Sequence, residues 1–189
     1  DDIESNWIGL RPLIHEVGKD PSELSRKDEL FLSKSGLISI AGGKLTGYRK
    51  MADRVLAAAS KQLSPTQKKK LKPSFTKKIP LVSPAIKTSK AVVAYQEELK
   101  GQLAALGITD PYMSWYLCTT YGKNADLILD KKPAFKDGST QEQLIRAELW
   151  YCIQHEMTNS LADFFVRRTA RLYFDIASVT QFMEIILQD

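Results

Sequence analysis

The residues best placed for chemistry are Gly42-Gly43-Lys44, which follow the apolar run Leu37-Ile38-Ser39-Ile40-Ala41 and precede a stretch of helical periodicity. Two glycines after a strand let the backbone approach a flat or anionic ligand with no Cβ in the way. A helix beginning just beyond them aims its unpaired N–H groups and positive dipole end at the same spot, and Lys44 adds a mobile cation. A purely structural strand-to-helix turn fits the same residues. The G-x-x-x-x-G-K-[ST] spacing of a P-loop is absent. Arg11, in Leu10-Arg11-Pro12, and Arg26, in Ser25-Arg26-Lys27, are the second feature. Two guanidinium groups can grip a phosphate or carboxylate bidentately, although each alone also reads as a surface arginine. His15 and His155 have no Ser, Cys or carboxylate at catalytic spacing, so solvated or capping roles are expected for both. Cys118 and Cys152 sit in apolar stretches without CxxC spacing. They form neither a disulfide framework nor a metal site, and are expected to be small core residues suited to a reducing compartment.

The elements that must hold these residues differ along the chain. Residues 1–40 carry short apolar runs broken by Gly, Pro and Ser, as strands and loops do. Glu29-Leu30-Phe31-Leu32 and Leu37–Ala41 are the candidate strands, separated by a Ser33-Lys34-Ser35-Gly36 turn. The second, β-branched and mostly apolar, reads as a strand covered on both faces. From Lys50 the period becomes helical, with Met51, Val55, Ala58, Ala59 and Leu63 on one face. Residues 64–84 contain Pro65, Pro73, Pro80 and Pro84 among six lysines, and read as a linker. Residues 85–189 read as mostly α, with helices expected near 88–105, 110–121 and 124–130. Another starts at about 139, behind the capping-box pattern Ser139-x-x-Glu142. Its core face is expected to be Ile145, Leu149, Cys152, Ile153 and Met157. Leu161, Phe164, Phe165 and Leu172 mark a further helix, with Asp163 and Arg167 spaced for an ion pair. Val179, Phe182, Met183 and Ile186 mark the last. Trp115, Tyr116, Trp150, Tyr151, Phe164 and Phe165 fall at helical spacing and read as core.

Composition sets the outer bounds. The 189 residues are 43% hydrophobic and 26% charged, an ordinary globular balance, with 27 Lys+Arg against 22 Asp+Glu. Residues 64–90 alone hold eight lysines and no acid, so the remainder is 19 − 22 = −3. The basicity is one local segment, which argues against a nucleic-acid surface spread over the fold. No run approaches the length of a membrane-spanning helix. The chain opens on Asp1-Asp2 with no signal peptide and no initiator Met, so a piece of a longer protein is expected.

Three separated motifs, in order, carry a resemblance: Gly9-Leu10-Arg11-Pro12-Leu13, Asp20-Pro21-Ser22 with Ser25-Arg26, and Gly36 through Arg49. Together they resemble the FAD-dependent glycerol-3-phosphate dehydrogenases and the related α-glycerophosphate oxidases. Tyr121-Gly122-Lys123-Asn124-Ala125 and Glu156-Met157 through Thr169 resemble the helical C-terminal domain of that family. The family's G-x-G-x-x-G fingerprint has no match here, and Gly47 stands where the family commonly has a second threonine. The resemblance implies an α+β, predominantly α chain made of a few strands and one helix from a truncated FAD-binding domain, followed by a C-terminal helical bundle. Residues 1–63 would close the FAD and substrate domain, 64–84 would be the Lys/Pro-rich linker, and 85–189 the helical domain.

The parent enzyme implied is an oxidoreductase that takes sn-glycerol 3-phosphate to dihydroxyacetone phosphate. A hydride goes to flavin N5 and the electrons pass on to a quinone or O2. Gly42, Gly43, Lys44, Leu45 and Thr46 match cofactor-binding positions. Arg11 and Lys44 match positions at the reacting oxygen, and Arg26 one at the substrate phosphate. The general base belongs to a part outside this chain, as does the N-terminal FAD domain, so the fragment alone is expected to be inactive. A cytoplasmic location is expected, with a peripheral contact at the inner face of the membrane as an addition and no nucleic-acid partner. The rival reading is a helical binding module that docks an acidic partner or an anionic membrane through the basic segment 68–78.

Overall fold

A computed structural model describes residues 2, 3, 5–10, 14, 18, 28–82 and 84–188. Its architecture is α+β and predominantly α. The chain divides into two compact units, Ile8–Ile79 on one hand and Asp1–Trp7 with Pro80–Asp189 on the other.

In the first unit, β1 (Asp28–Leu32) pairs antiparallel with β2 (Ile38–Gly42), in the register Asp28↔Gly42 to Leu32↔Ile38. The hairpin turn closes where the sequence places it. Gly36 adopts φ 87° and donates to the Ser33 carbonyl at 3.0 Å, and Ser33 Oγ accepts from the Leu37 amide at 3.1 Å. Helix α1 (Tyr48–Lys61) half-buries Met51, Val55, Ala58 and Ala59, and Leu63 just beyond its end is half-buried with them, the face expected from periodicity. At its far end Gln62 Nε2 donates to the Gly36 carbonyl, 3.3 Å away. The sheet departs from expectation. β2 is not covered on both faces: Ile38 and Ile40 are half-buried while Ser39, Ala41 and Gly42 are exposed. With a single neighbouring strand, its side chains alternate as in any half-buried hairpin. No described residue from 28 to 79 is fully buried.

Prolines keep the segment after α1 from forming a long helix. It holds only α2 (Pro65–Lys68) and a 3₁₀ turn at Thr76–Lys78. Ser64 caps α2 through a reciprocal box with Gln67. Arg49 of α1 donates from Nε to Thr76 Oγ1 at 3.1 Å, tying the later part of the segment to the helix.

The second unit is helical: α3 (Ser89–Ala105), α4 (Pro111–Tyr121), α5 (Ala125–Lys131), α6 (Thr140–Glu156), α7 (Arg171–Phe174) and α8 (Ile176–Gln188). Local chemistry sets their ends. Thr88 caps α3, and Asp110 caps α4 with Pro111 as its first residue. Ser139 and Glu142 form the expected capping box on α6, with Ser139 N to Glu142 Oε2 at 2.5 Å. The core is contributed by α3, α4, α5, α6, the turn before α7, and α8; Leu99, Leu117, Ile128, Cys152 and Phe164 are fully enclosed. Both cysteines are buried and free.

Three readings of this unit need correction. The α6 face rotates: Ile145, Leu149 and Cys152 are buried as expected, joined by Leu144, Ala147, Glu148 and Tyr151. Ile153 is exposed, and Met157 stands 84% exposed at the left-handed residue ending the helix. Trp115 is 48% exposed rather than core. The helix expected over 161–172 is interrupted by a π-helical turn, Asp163–Arg168, and then by Ala170 at φ 55° before α7. There Thr169 N and Oγ1 both donate to the Phe164 carbonyl, at 2.9 and 2.7 Å. The Asp163–Arg167 ion pair forms as spaced, at 2.5 Å.

Candidate functional site

The glycine pair stands at the end of β2. Gly42 and Gly43 have φ of 76° and 81°, a region L side chains rarely occupy. At Gly43 the space is also taken: a Cβ would come 2.8 Å from Met51 Sδ and 3.2 Å from Asp28 Cβ. The backbone there is thus clamped between α1 and the start of β1. Asp28 is held in turn by an ion pair to Arg54 of α1.

Lys44 is extended and exposed, and its carbonyl accepts from Gly47 N at 2.8 Å. That bond closes a 3₁₀ turn, Leu45–Gly47, which leads into α1 at Tyr48. The Leu45 and Thr46 amides open the turn, where helical geometry offers no carbonyl, and no side chain caps them. Both residues are exposed. The Lys44 ammonium has no hydrogen-bond or ion-pair partner among the described residues. Gly47 has a negative φ, and a Cβ there would meet nothing within 4 Å, so the turn does not require glycine at that position. Arg11, Arg26 and His15 lie outside the described residues. His155 is exposed and stacks on Tyr151, with ring centroids 4.9 Å apart.

A polar cluster in the helical unit has no sequence signal. Glu148, buried in α6, accepts from Tyr116 OH and Tyr121 OH through Oε1, at 2.5 and 2.6 Å. Its Oε2 accepts from Arg171 Nη2 at 2.7 Å. Arg171 Nη1 also donates to Ser178 Oγ, 2.8 Å away, while its Nε is buried without a partner. Burial, and then the Glu148 carboxylate, raise the pKa of both phenols above the ordinary tyrosine range. The same two causes push the Cys152 thiol up to about 11. Glu148 and Arg171 lie on the wall of a cavity of about 530 Å³ that includes Tyr112, Trp115 and Phe174. A glutamate among apolar helix positions looks like any exposed acid until its partner, 23 residues away, is known. Among the described residues no group of His, Cys, Asp and Glu could hold a metal ion.

A profile of the C-terminal domain of alpha-glycerophosphate oxidase matches residues 44–188. The chain belongs to this family. The match to the alpha-glycerophosphate oxidase C-terminal domain begins at Lys44, within the glycine turn, and takes in α1 and the helical unit. Among curated relatives, the aerobic glycerol-3-phosphate dehydrogenase of Bacillus subtilis (strain 168) is 44% identical over 189 residues, 98% of this chain and 34% of that protein. Aerobic glycerol-3-phosphate dehydrogenases of Staphylococcus aureus strains USA300 and bovine RF122 / ET3-1 are 39% and 40% identical, each over 99% of this chain and 34% of theirs. The chain therefore spans about a third of the length of the curated relatives it matches.

Proposed function

We propose that this chain is the C-terminal part of an FAD-dependent enzyme that oxidises sn-glycerol 3-phosphate to dihydroxyacetone phosphate, and that alone it is inactive. The observation that carries the reading is the family match running from the glycine turn to the last helix, alongside relatives named for this reaction. Residues 1–63 close the flavin domain, 64–84 link, and 85–189 form the helical domain.

The residues present fit one edge of a flavin. The Leu45 and Thr46 amides, uncapped by any side chain, open the 3₁₀ turn that leads into α1 and are reached through positive-φ glycines. The fingerprint that would hold the dinucleotide's phosphates is not in this sequence. Bound FAD supplies the hydride acceptor. Where FAD is bound, the Gly42–Thr46 backbone would hold it, and the Leu45 and Thr46 amides would offer donors to the negative charge that the flavin takes on. Lys44, with Arg11, polarises the C2 oxygen of the substrate. Arg26 holds its phosphate, where guanidinium geometry suits the ligand. The hydroxyl proton leaves to a base outside this chain, and the electrons go on to a quinone or O2. The location proposed is cytoplasmic, with a peripheral contact at the inner face of the membrane. Among the described residues no helix is long and apolar enough to cross one.

The test has two parts. The purified 189-residue chain is expected to show no stoichiometric flavin absorbance and no turnover; a yellow complex oxidising glycerol 3-phosphate overturns the fragment reading. In the complete enzyme, Arg26→Ala is expected to raise KM about tenfold or more with a smaller change in kcat, while Lys44→Ala lowers kcat by a similar factor. Unchanged kinetics in both would remove these residues from the site.

A further inference from the structure

Asp137-Gly138 is the single Asp-Gly step in the sequence, and no Asn-Gly step occurs. It lies in the loop between the 3₁₀ turn Lys132–Ala134 and α6, within the helical unit. Both residues are exposed, and Gly138 has φ 84°. Among the described residues, the Asp137 carboxylate has no hydrogen-bond or ion-pair partner and the Gly138 amide has no acceptor. Glycine also has no Cβ to shield its nitrogen. Comparable steps in this unit are engaged. Asp110 precedes Pro111, which has no N–H, and the amide after Asp163 donates to the Ser160 carbonyl at 3.1 Å. The side-chain amides of Asn124 and Asn159 donate to the Tyr151 hydroxyl and the Met157 carbonyl, at 2.8 and 2.9 Å.

The loop around this step is latched by one side chain. Gln143, near the start of α6, donates from Nε2 to the Lys136 and Gly138 carbonyls, 3.4 and 3.3 Å away on either side of Asp137. Its Oε1 accepts from the Nζ of buried Lys132 at 3.1 Å. The other acceptor of that ammonium is the Leu106 carbonyl, at 3.4 Å. Without a carboxylate partner among the described residues, the buried Lys132 charge depends on these two oxygens. The next residue, Ser139, carries the capping box of α6. A change of main-chain length at Asp137 therefore reaches the latch, the cap and the buried lysine together.

We propose that Asp137 is a site of isoaspartate formation, and that the isomer's new carboxylate is open to methyl esterification by an enzyme that recognises isoaspartyl residues. The Asp137 carboxylate takes a proton from solvent, and the Gly138 nitrogen attacks its Cγ. A C–N bond forms, and the amide proton leaves with the carboxyl hydroxyl as water, giving a cyclic succinimide. Water then opens the ring. Opening at Cγ restores aspartate. Opening at the main-chain carbonyl leaves the chain running through Cβ and Cγ, with a free α-carboxylate beside it. Net composition is unchanged, and no oxidant or reductant enters. The chain between Lys136 and Gly138 is then one methylene longer, so Gln143 loses its fit to the two carbonyls and the neighbouring cap opens. The inference goes beyond the redox reading and does not depend on it.

The experiment ages the 189-residue chain at neutral pH and physiological temperature, then adds purified protein isoaspartyl O-methyltransferase with a labelled methyl donor. Label is expected to rise with age and to map to the peptide containing Asp137, while cleavage before Asp137 by an aspartate-specific endoprotease falls in step. Asp137→Glu keeps the charge but must close a larger ring, so its label after ageing should stay at the level of fresh protein. Circular dichroism checks the fold of that variant, and the peptide map of the unaltered chain decides the site without it. In the isomerised fraction, separated by chromatography, hydrogen exchange in the first turn of α6 should be about fivefold faster, as for loss of a helix cap, with α3 and α4 unmoved. The site is ruled out if aged protein takes up no label, if the label maps to Asn159 and not to Asp137, or if Asp137→Glu labels like the parent. Unchanged exchange in α6 would overturn the link to Gln143.

Discussion

The two units of this chain are stabilised differently. Residues 80–188 enclose Leu99, Leu117, Ile128, Ala147, Cys152 and Phe164 almost completely, and they place a glutamate and an arginine within that core. Residues 28–79 have a hairpin, a 14-residue helix and a matched apolar face, yet not one fully buried side chain, and Leu37, Leu45 and Leu56 stand in solvent. The residues with functional candidacy lie in the second of these regions, where backbone amides, a lysine and positive-φ glycines are exposed. The helical unit is held by burial. Among its described residues, the hairpin unit is held by register, the Asp28–Arg54 ion pair and a half-covered helix face. Substitutions should therefore be expensive in the first and mild in the second, except where backbone geometry itself is at stake.

The largest effect expected is at Glu148. Glu148→Ala leaves the buried Arg171 guanidinium with only the more exposed Asp175 carboxylate, 3.4 Å away, as counter-charge and frees two phenols, which should cost about 3 kcal/mol in urea unfolding of the helical unit. Replacing the pair together, Glu148→Leu with Arg171→Met, should recover much of the loss. A single-site cost below about 1 kcal/mol would mean that the pair does not organise this core.

Gly43→Ala tests the exception in the hairpin unit. The left-handed backbone and the 2.8 Å approach to Met51 Sδ should together cost about 1–3 kcal/mol. Hydrogen exchange should report it as faster exchange in β1, β2 and the start of α1, with helical-unit amides unmoved. Leu56→Ala, on the exposed side of the same helix, should change stability by less than about 0.5 kcal/mol.

Acid should act on the helical unit through its caps, with a smaller effect. The Ser139 amide and hydroxyl hold the Glu142 carboxyl below its ordinary value, and the Asn159 amide, Ser160 and Arg167 do the same for Asp163. Both groups bind protons less readily folded than unfolded, so their stabilisation is complete above the unfolded values near pH 4. It drains as pH falls through the lower, folded values. Thermal unfolding by circular dichroism across acid pH should fall steadily below about pH 4. Glu142→Gln, which keeps the capping hydrogen bond, should flatten that slope.

Helix boundaries are legible in the sequence because their signals are local. Ser139 and Glu142, three residues apart, announce α6, and Pro111 behind Asp110 announces α4. The face of α1 is readable from period alone. What is not legible depends on partners distant in sequence. Apolar β-branched residues at 37–41 look the same whether a strand is covered twice or once, and only the pairing with β1 decides. The break at Ala170 carries no Gly or Pro; it follows from the Phe164 carbonyl being taken five residues on, and from the turn that brings Arg171 to Glu148. Of the candidate site, the glycine turn is recognisable as a turn, while its 3₁₀ start is not, because Leu-Thr-Gly suits either helix type. Arg11 and Arg26 fall outside the described residues, so the second half of that constellation rests on its motifs.

Both thiols of this chain lie in the helical unit, enclosed, and Cys152 is held at about 11, so almost none of it is thiolate at neutral pH. A maleimide or disulfide reagent can therefore reach sulfur only when that bundle opens. Labelling rates then act as a stopwatch for its opening alone, blind to every motion of the hairpin and the lysine segment, which contain no sulfhydryl to report.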